Sequence, residues 1–300
     1  MEKNGVEIED TYCEAFGNYF ARVIVTAEDK NWLDICAQEA TGYGTSTIHC
    51  DSEAARDVYI SPDDTPDGRV GAALMFFVGD KKKMGKVLLG RIGQCVLTCP
   101  TTACFDGMET SLDPEKEFEV KSGYNLKFFG DKFEEKIDDP VEGWKIPVMD
   151  GEFIVESKFR VGKGIAGGNF LIIGENQSAT LKAARKSVEA IKDIPNVIAP
   201  FPGGVARSGS KVGSKYDFLG ASTNDPLCPT LKDKIDNSQL KEGENCVYEV
   251  ILDGATENAI KSAIKHGIQA AIEVAGIKRI SAGNYGGKLG KYQYNLHDLL

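Results

Sequence analysis

The sequence predicts an α+β protein made of two ferredoxin-like lobes, each a split βαβ sandwich with an antiparallel sheet. Three observations carry that prediction. Segments of strand and helix periodicity follow the order β-α-β, β-α-β in the first half, and the same order returns in the second. A length of 300 residues fits two domains of roughly 150 residues each. The charge also divides: residues 1–150 hold 16 Lys/Arg against 29 Asp/Glu, a net of −13, while residues 151–300 hold 19 against 16, a net of +3. We therefore expect an acidic N-terminal lobe over residues 1–148 and a C-terminal lobe over residues 149–300.

In the first half, Phe20 to Val25 is β-branched and apolar and reads as a strand. Asn31 to Thr41 has helical spacing, with Trp32, Ile35 and Cys36 on one face and Gly42 as a stop. Thr45 to Cys50 reads as the next strand, and Pro62, Pro66 and Asp67-Gly68 mark a turn region. Ala72 to Val78 is a strand, and a helix from about Lys82 to Leu97 follows. A short extended piece through Thr102 and Ala103 closes the lobe. Tyr124 to Phe129 and Phe153 to Val155 read as added strands, with a solvated loop from Asp131 to Glu142 between them.

In the second half, Asn169 to Ile173 is a strand. Ser178 caps a helix to Ile191, with Leu181, Ala184, Val188 and Ile191 inward. Asn196 to Ala199 and Cys246 to Leu252 are strands. Thr256 starts a helix with Ile260, Ile264, Ile268 and Ile272 on one stripe, stopped near Gly276. Lys278 to Ser281 is the last strand. Pro200 to Pro229, rich in Pro, Gly and Ser, fits no element; a loop this long inside a compact domain points to function.

Composition narrows the chemistry. A net charge of −10 argues against general nucleic-acid binding, which needs a basic surface to displace counterions. No apolar run reaches the ~20 residues that span a bilayer, and the polar N-terminus lacks a signal-peptide core. These features predict a cytoplasmic protein with its eight cysteines mostly reduced. His49, His266 and His297 have no paired spacing, and Cys95, Cys99 and Cys104 lack CxxC spacing, so no metal site is expected. The glycines before strand Asn169 to Ile173 precede rather than follow it, which disfavours a dinucleotide fold. Gly209 to Lys215 is not a Walker A loop, yet its backbone amides with Arg207, Lys211 and Lys215 suit a carboxylate or phosphate. A flexible basic loop is the bland alternative.

Glu249 is the most telling single residue. Alternation along Cys246 to Leu252 puts Val247, Glu249 and Ile251 on one strand face and Cys246, Tyr248, Val250 and Leu252 on the other. A carboxyl between branched apolar neighbours, once buried, holds its proton near neutrality and can donate it in acyl chemistry. A solvent-facing Glu, or one paired with a lysine, is the competing reading from position alone.

Several blocks then become recognisable. Asn4 to Thr11 (NGVEIEDT), Glu39 to Gly42 (EATG), Gly44 to Ser46, Arg91 to Val96 (RIGQCV) and Ile165 to Phe170 (IAGGNF) resemble the formylmethanofuran:tetrahydromethanopterin formyltransferase family. So do Ala199 to Gly204 (APFPGG), Ser222-Thr223-Asn224, Cys246 to Glu249 (CVYE) and Ile280 to Gly290 (ISAGNYGGKLG). The resemblance runs from end to end. It implies two tightly joined ferredoxin-like lobes, archaeal one-carbon metabolism, and homodimers or homotetramers with active sites at subunit contacts. It implies transfer of a formyl group from methanofuran to N5 of tetrahydromethanopterin, both acting as coenzyme substrates, with no tightly bound cofactor and no metal. By similarity, Glu249 is the protonated carboxyl of the family's CVYE motif. Both coenzymes are anionic, so Arg207, Lys211 and Lys215 are expected to meet their tails, with Ser222, Thr223 and Asn224 as further substrate contacts. Two other readings stand beside this one. The first is a non-catalytic coenzyme-binding or assembly subunit of a formyltransferase/hydrolase complex. The second is a thiol acyltransferase using Cys246 or Cys228.

Overall fold

The computed structural model describes residues 1–300. The first lobe runs β1 (Tyr12–Thr26), α1 (Lys30–Thr41), β2 (Glu53–Ile60), β3 (Gly71–Val78), α2 (Lys81–Arg91) and β4 (Ala103–Asp106). Its strands lie in the order β4-β1-β3-β2, every neighbouring pair antiparallel. The second lobe runs β5 (Phe159–Gly174), α3 (Gln177–Ile191), β6 (Val197–Ile198), β7 (Cys246–Gly254), α4 (Glu257–Ala271) and β8 (Ile277–Ser281). Its order is β8-β5-β7-β6, again antiparallel. Both lobes are therefore split βαβ sandwiches with one arrangement of strands.

The lobes share a sheet. Strands β1 and β5 are 15 and 16 residues long, about three times the typical strand. Each belongs to its own lobe at its C-terminal end, while their N-terminal portions pair with each other, Phe16 to Phe20 against Gly162 to Ala166. The crossing is close: a Cβ at Gly164 would stand 2.8 Å from the Gly254 carbonyl and 3.0 Å from the Phe20 and Phe77 rings.

Each lobe buries one helical layer against its sheet. In the first, Leu33, Cys36, Ala37 and Ala40 of α1 and Met84, Val87 and Leu88 of α2 pack on Val23, Val25, Leu74 and Phe76. In the second, Ile260, Ile264 and Ile268 of α4 pack on Phe170, Ile172, Val250, Leu252 and Ile280. The second core also takes Val6, Ile8, Cys13 and Ala15, and the first takes Phe153, Val155, Phe159 and Val161. A small third core of Phe20, Met75, Phe77, Met108, Ile198 and Ala255 fills the junction. The helix-free face of the second sheet is covered by the segment between β6 and β7, where Leu227 and Leu240 pack on Leu171, Ile173 and Val247.

Several expectations are corrected. Thr45 to Cys50 is not a strand: the His49 and Cys50 amides both turn back to the Ser46 carbonyl, at 3.2 and 2.8 Å, and the strand starts at Glu53. Tyr124 to Phe129 forms a helical turn, Ser122–Leu126, continued by a 3₁₀ turn. The stretch Asp131 to Glu142 contains an edge strand, Glu135–Ile137, whose polar side chains gave no apolar alternation. Ile35 is largely exposed rather than inward, and Leu33 takes its place. Asn176, not Ser178, caps α3 by accepting from the Ala179 amide at 2.9 Å.

One buried ion pair ties the lobes. Arg22 in β1 donates through Nε to Asp57 at 2.8 Å and through Nη1 to the Gly107 carbonyl at 2.6 Å. The other Asp57 oxygen accepts the Asn196 amide of the second lobe at 2.8 Å. Both side chains are almost fully buried. Removing Asp57 leaves the buried Arg22 Nε without its carboxylate, with only the Gly107 carbonyl and the exposed Glu109, 3.0 Å away, on Nη1. Asp57→Ala should lower unfolding free energy by about 3–5 kcal/mol in a denaturant titration.

Candidate active site

A cleft of about 860 Å³ opens where β1 and β5 cross, on the helix-free face of the second sheet. The first lobe contributes Ser46, Thr47, Ile48 and Glu53; the second contributes Asn169, Leu171, Glu249, Ile251, Ser281 and Tyr285. Gly209, Ser210, Lys211 and Asn224 of the 200–229 segment close one side.

Glu249 sits in the wall of this cleft. The pleat puts it on the face predicted by alternation, since Val250 and Leu252 enter the helical core and Val247 packs under the covering segment. Its neighbour in register on β5 is the apolar Leu171. Its backbone pairs with Ala206, which binds the covering segment directly to the site; the two N–H···O contacts are 2.8 and 3.0 Å. A Cβ at Gly209 would lie 3.0 Å from Glu249 Oε2, so the loop passes in close contact with the carboxyl. Burial pushes the carboxyl up to about 7, and no cation beside it opposes the shift.

The other carboxyls of the cleft have different surroundings. Glu14 of β1 is buried. Burial raises its pKa, but four backbone amides of the 285–290 loop outweigh that and hold it below the usual range. Glu53 is half-buried and accepts from the Thr47 amide at 2.9 Å and from its hydroxyl at 3.3 Å. It faces Asp253 of β7 across the lobes. Asp253 is fully buried, takes the Gly167 amide at 3.0 Å on Oδ1, and has no donor on Oδ2. Burial and then the Glu53 charge push Asp253 well up, so the pair keeps a proton between its two carboxyls.

The remaining predicted residues divide. Lys211 and Asn224 line the cleft. Lys211 is ion-paired with Asp225, and that contact holds the Asp225 carboxyl low. Arg207 and Lys215 are exposed and stand outside the lining, and so do Ser222 and Thr223. Ser222 instead pairs with Lys211 in a two-stranded hairpin and donates to the Gly213 carbonyl at 2.7 Å. Neither Cys246 nor Cys228 lines the cleft, and burial raises the Cys246 thiol, both against a covalent thiol route. Glu14, Glu53, Asn169, Asp253 and Tyr285 went unselected. Glu14 and Asp253 show in the sequence only as polarity inside apolar runs, as in Tyr-Cys-Glu14-Ala-Phe, whereas Asn169 and Tyr285 lie in blocks that carry the family resemblance.

Known proteins share this sequence and fold. The family model described as formylmethanofuran-tetrahydromethanopterin formyltransferase matches residues 1–148, and that described as its proximal lobe matches residues 151–299. The chain is 52% identical over 303 residues to the formylmethanofuran–tetrahydromethanopterin formyltransferase of Methanothermus fervidus, covering all of both chains. It is 52% identical over 304 residues to that of Methanopyrus kandleri, again at full coverage of both. The solved formyltransferase of Methanosarcina barkeri superposes over all of both chains with a TM-score of 0.94 at 48% identity. A chain of the formyltransferase/hydrolase complex from Methylorubrum extorquens, solved with methylofuran, superposes with a TM-score of 0.93 at 42% identity; the match covers all of this chain and 98% of that one. With two lobes of one topology, a shared cleft and full-length identity near one half, the chain belongs to the formylmethanofuran–tetrahydromethanopterin formyltransferase family.

Proposed function

We infer that this chain is a formyltransferase that moves a formyl group from formylmethanofuran to N5 of tetrahydromethanopterin, in archaeal one-carbon metabolism. Full-length identity to enzymes of that name supports the reading. The single structural observation that carries it is Glu249: a carboxyl beside Leu171, with no cation against it, in a cleft large enough for two coenzyme head groups.

The acceptor is itself an amine, so the reaction needs no covalent nucleophile from the protein. It needs both carriers held in line and a donor at the formyl oxygen as charge develops there. Neutral Glu249 hydrogen-bonds that oxygen. As the tetrahedral intermediate collapses, its proton passes to the departing methanofuran nitrogen, and the proton lost from N5 restores the acid. The Glu53–Asp253 pair holds the first-lobe rim, Ser46 to Ile48, against the second-lobe wall. In this reading the coenzymes are substrates, and nothing is tightly bound between turnovers. No group of three or more His, Cys, Asp or Glu side chains stands close enough to hold a metal ion.

Arg207, Lys211 and Lys215 meet the anionic tails in this proposal, with Ser222, Thr223 and Asn224 beside them. All six lie on the covering segment that borders the cleft. The enzyme works in the cytoplasm as a homodimer or homotetramer, its lobes dividing near residue 148. The exposed Tyr216, Phe218 and Leu219 at the hairpin tip supply apolar surface for that self-association. No helix is long and apolar enough to cross a membrane. The likeness to a chain of the Methylorubrum extorquens complex favours a second reading, an assembly subunit inactive by itself. Formyl transfer by the purified chain alone excludes it.

Glu249→Ala, with an unchanged circular dichroism spectrum, should lower kcat by about 10²–10⁴-fold. Near-wild-type turnover removes Glu249 from the mechanism. In the intact enzyme, kcat/KM should fall as pH rises through about 7, because the acid form is then lost. Stability carries the same signature. The folded chain keeps the Glu249 proton to about pH 7, whereas the unfolded chain releases it near 4.5, so stability from this group is full below 4.5 and lost as pH rises through 7. Glu249→Gln should therefore raise stability above pH 7, by on the order of 1–3 kcal/mol, and leave it unchanged at pH 4. Charge reversal at Arg207, Lys211 and Lys215 together should raise both Michaelis constants with kcat little changed; unchanged constants would sink their assignment to the tails.

A further inference from the structure

The 283–290 loop is built around a single buried carboxylate. The amides of Tyr285 and Gly287 donate to Glu14 Oε2 at 2.8 Å each, and those of Leu289 and Gly290 donate to Oε1, the former at 2.6 Å. The start of the loop is also held. Asn169 takes the Gly283 amide at 2.6 Å and returns its side-chain N–H to the Gly283 carbonyl at 3.2 Å. Asn284 donates to the Thr11 hydroxyl and the Tyr12 carbonyl, both at 3.2 Å. The carboxylate and the four amides satisfy one another, so the charge of Glu14 fixes the path of the loop.

The side chain so placed is Tyr285. The chain leaves β8 at Ser281, which flanks Leu171 on one side while Glu249 flanks it on the other. The two are thus separated by two strand spacings, about 10 Å. The loop then turns back and sets the Tyr285 ring against Phe16, centroids 6.0 Å apart, in the lining of the same cleft. Its hydroxyl has no protein partner in the hydrogen-bond network that fixes its backbone. Burial, then the Glu249 and Glu14 charges, raise the phenol further, so it stays a donor throughout the range in which Glu249 titrates.

We propose that Tyr285 donates a hydrogen bond to the reacting formyl group beside Glu249, and that Glu14 positions it by folding the 283–290 loop. The proposal rests on the assignment of formyl transfer to this cleft. No bond of Tyr285 breaks: as the amine attacks the carbonyl carbon and the electron pair moves to oxygen, the phenol keeps its proton and strengthens its hydrogen bond to that oxygen. Glu14 never meets substrate, because its oxygens are taken by the four amides.

Kinetics of four variants decide it. Tyr285→Phe keeps the ring on Phe16 and removes only the donor. Its kcat should fall about 100-fold, with both Michaelis constants within about threefold of wild type and the melting temperature unchanged. Glu14→Gln should lower kcat in the otherwise intact chain, yet by less than about twofold when Tyr285→Phe is already present. Glu14→Asp, which keeps the charge, should recover part of the rate. Wild-type kcat in Tyr285→Phe overturns the proposal, as does a Glu14→Gln loss that is just as large in the Tyr285→Phe background. Glu249→Gln, measured alongside, separates the two assignments: full activity there with a slowed Tyr285→Phe removes Glu249 and leaves Tyr285. A wild-type chain that transfers no formyl group overturns both.

Discussion

The pairing of β1 with β5 is the constraint on which the rest depends. Two sandwiches of identical strand order could meet in many ways; here their longest strands continue past their own sheets and pair with each other over Phe16 to Phe20 and Gly162 to Ala166. Backbone hydrogen bonds make that junction directional, so neither lobe can rotate without breaking a ladder. The apolar junction core and the Arg22–Asp57–Asn196 link then fill the remaining contact. The cleft is a by-product of this crossing. Where the shared sheet bends from one lobe into the other, the helix-free face is left uncovered except by loops.

Glu14, Glu53 and Glu249 line that face and Asp253 lies buried behind it, and environment alone gives them different states. Glu14, saturated by amides, is an anion used as a structural template. Glu53 and Asp253 share a proton because two charges so close in a buried place cannot both form. Glu249 has neither amides nor a cation, so desolvation acts on it unopposed and it keeps its proton up to about pH 7. One residue type thus supplies an anchor, a clamp and an acid, and the difference lies entirely in what surrounds each group.

The covering segment between β6 and β7 explains why Glu249 could not be settled from its strand. Alternation in Cys-Val-Tyr-Glu-Val-Ile-Leu identifies the face but not what lies over it. On an open sheet face that glutamate would be a solvated charge of no consequence. Ala206, pairing with its backbone, and Gly209, passing beside its carboxyl, leave that glutamate half-buried in the wall of the cleft. Lys211 shows the reverse. Its charge and its loop suggested a free anion site, and the fold gives it Asp225 as a partner within that same loop.

Local physics by itself determined which segments are strands and helices wherever apolar period was strong, as in Ala72 to Val78 or the isoleucine stripe of α4. From order alone it also determined the ferredoxin-like character of both halves. It failed where an element is polar or does double duty. Glu14, Gly17 and Asn18 interrupt apolar alternation, so β1 reads as six residues in place of fifteen, because its N-terminal half is stabilised by pairing with distant strands. The same reason governs the site. Whether a glutamate is an acid, an anchor or half of a proton-sharing pair depends on desolvation and on donors contributed from residues far along the chain, such as the 285–290 amides on Glu14. Those are properties of proximity in space, which only the tertiary structure decides.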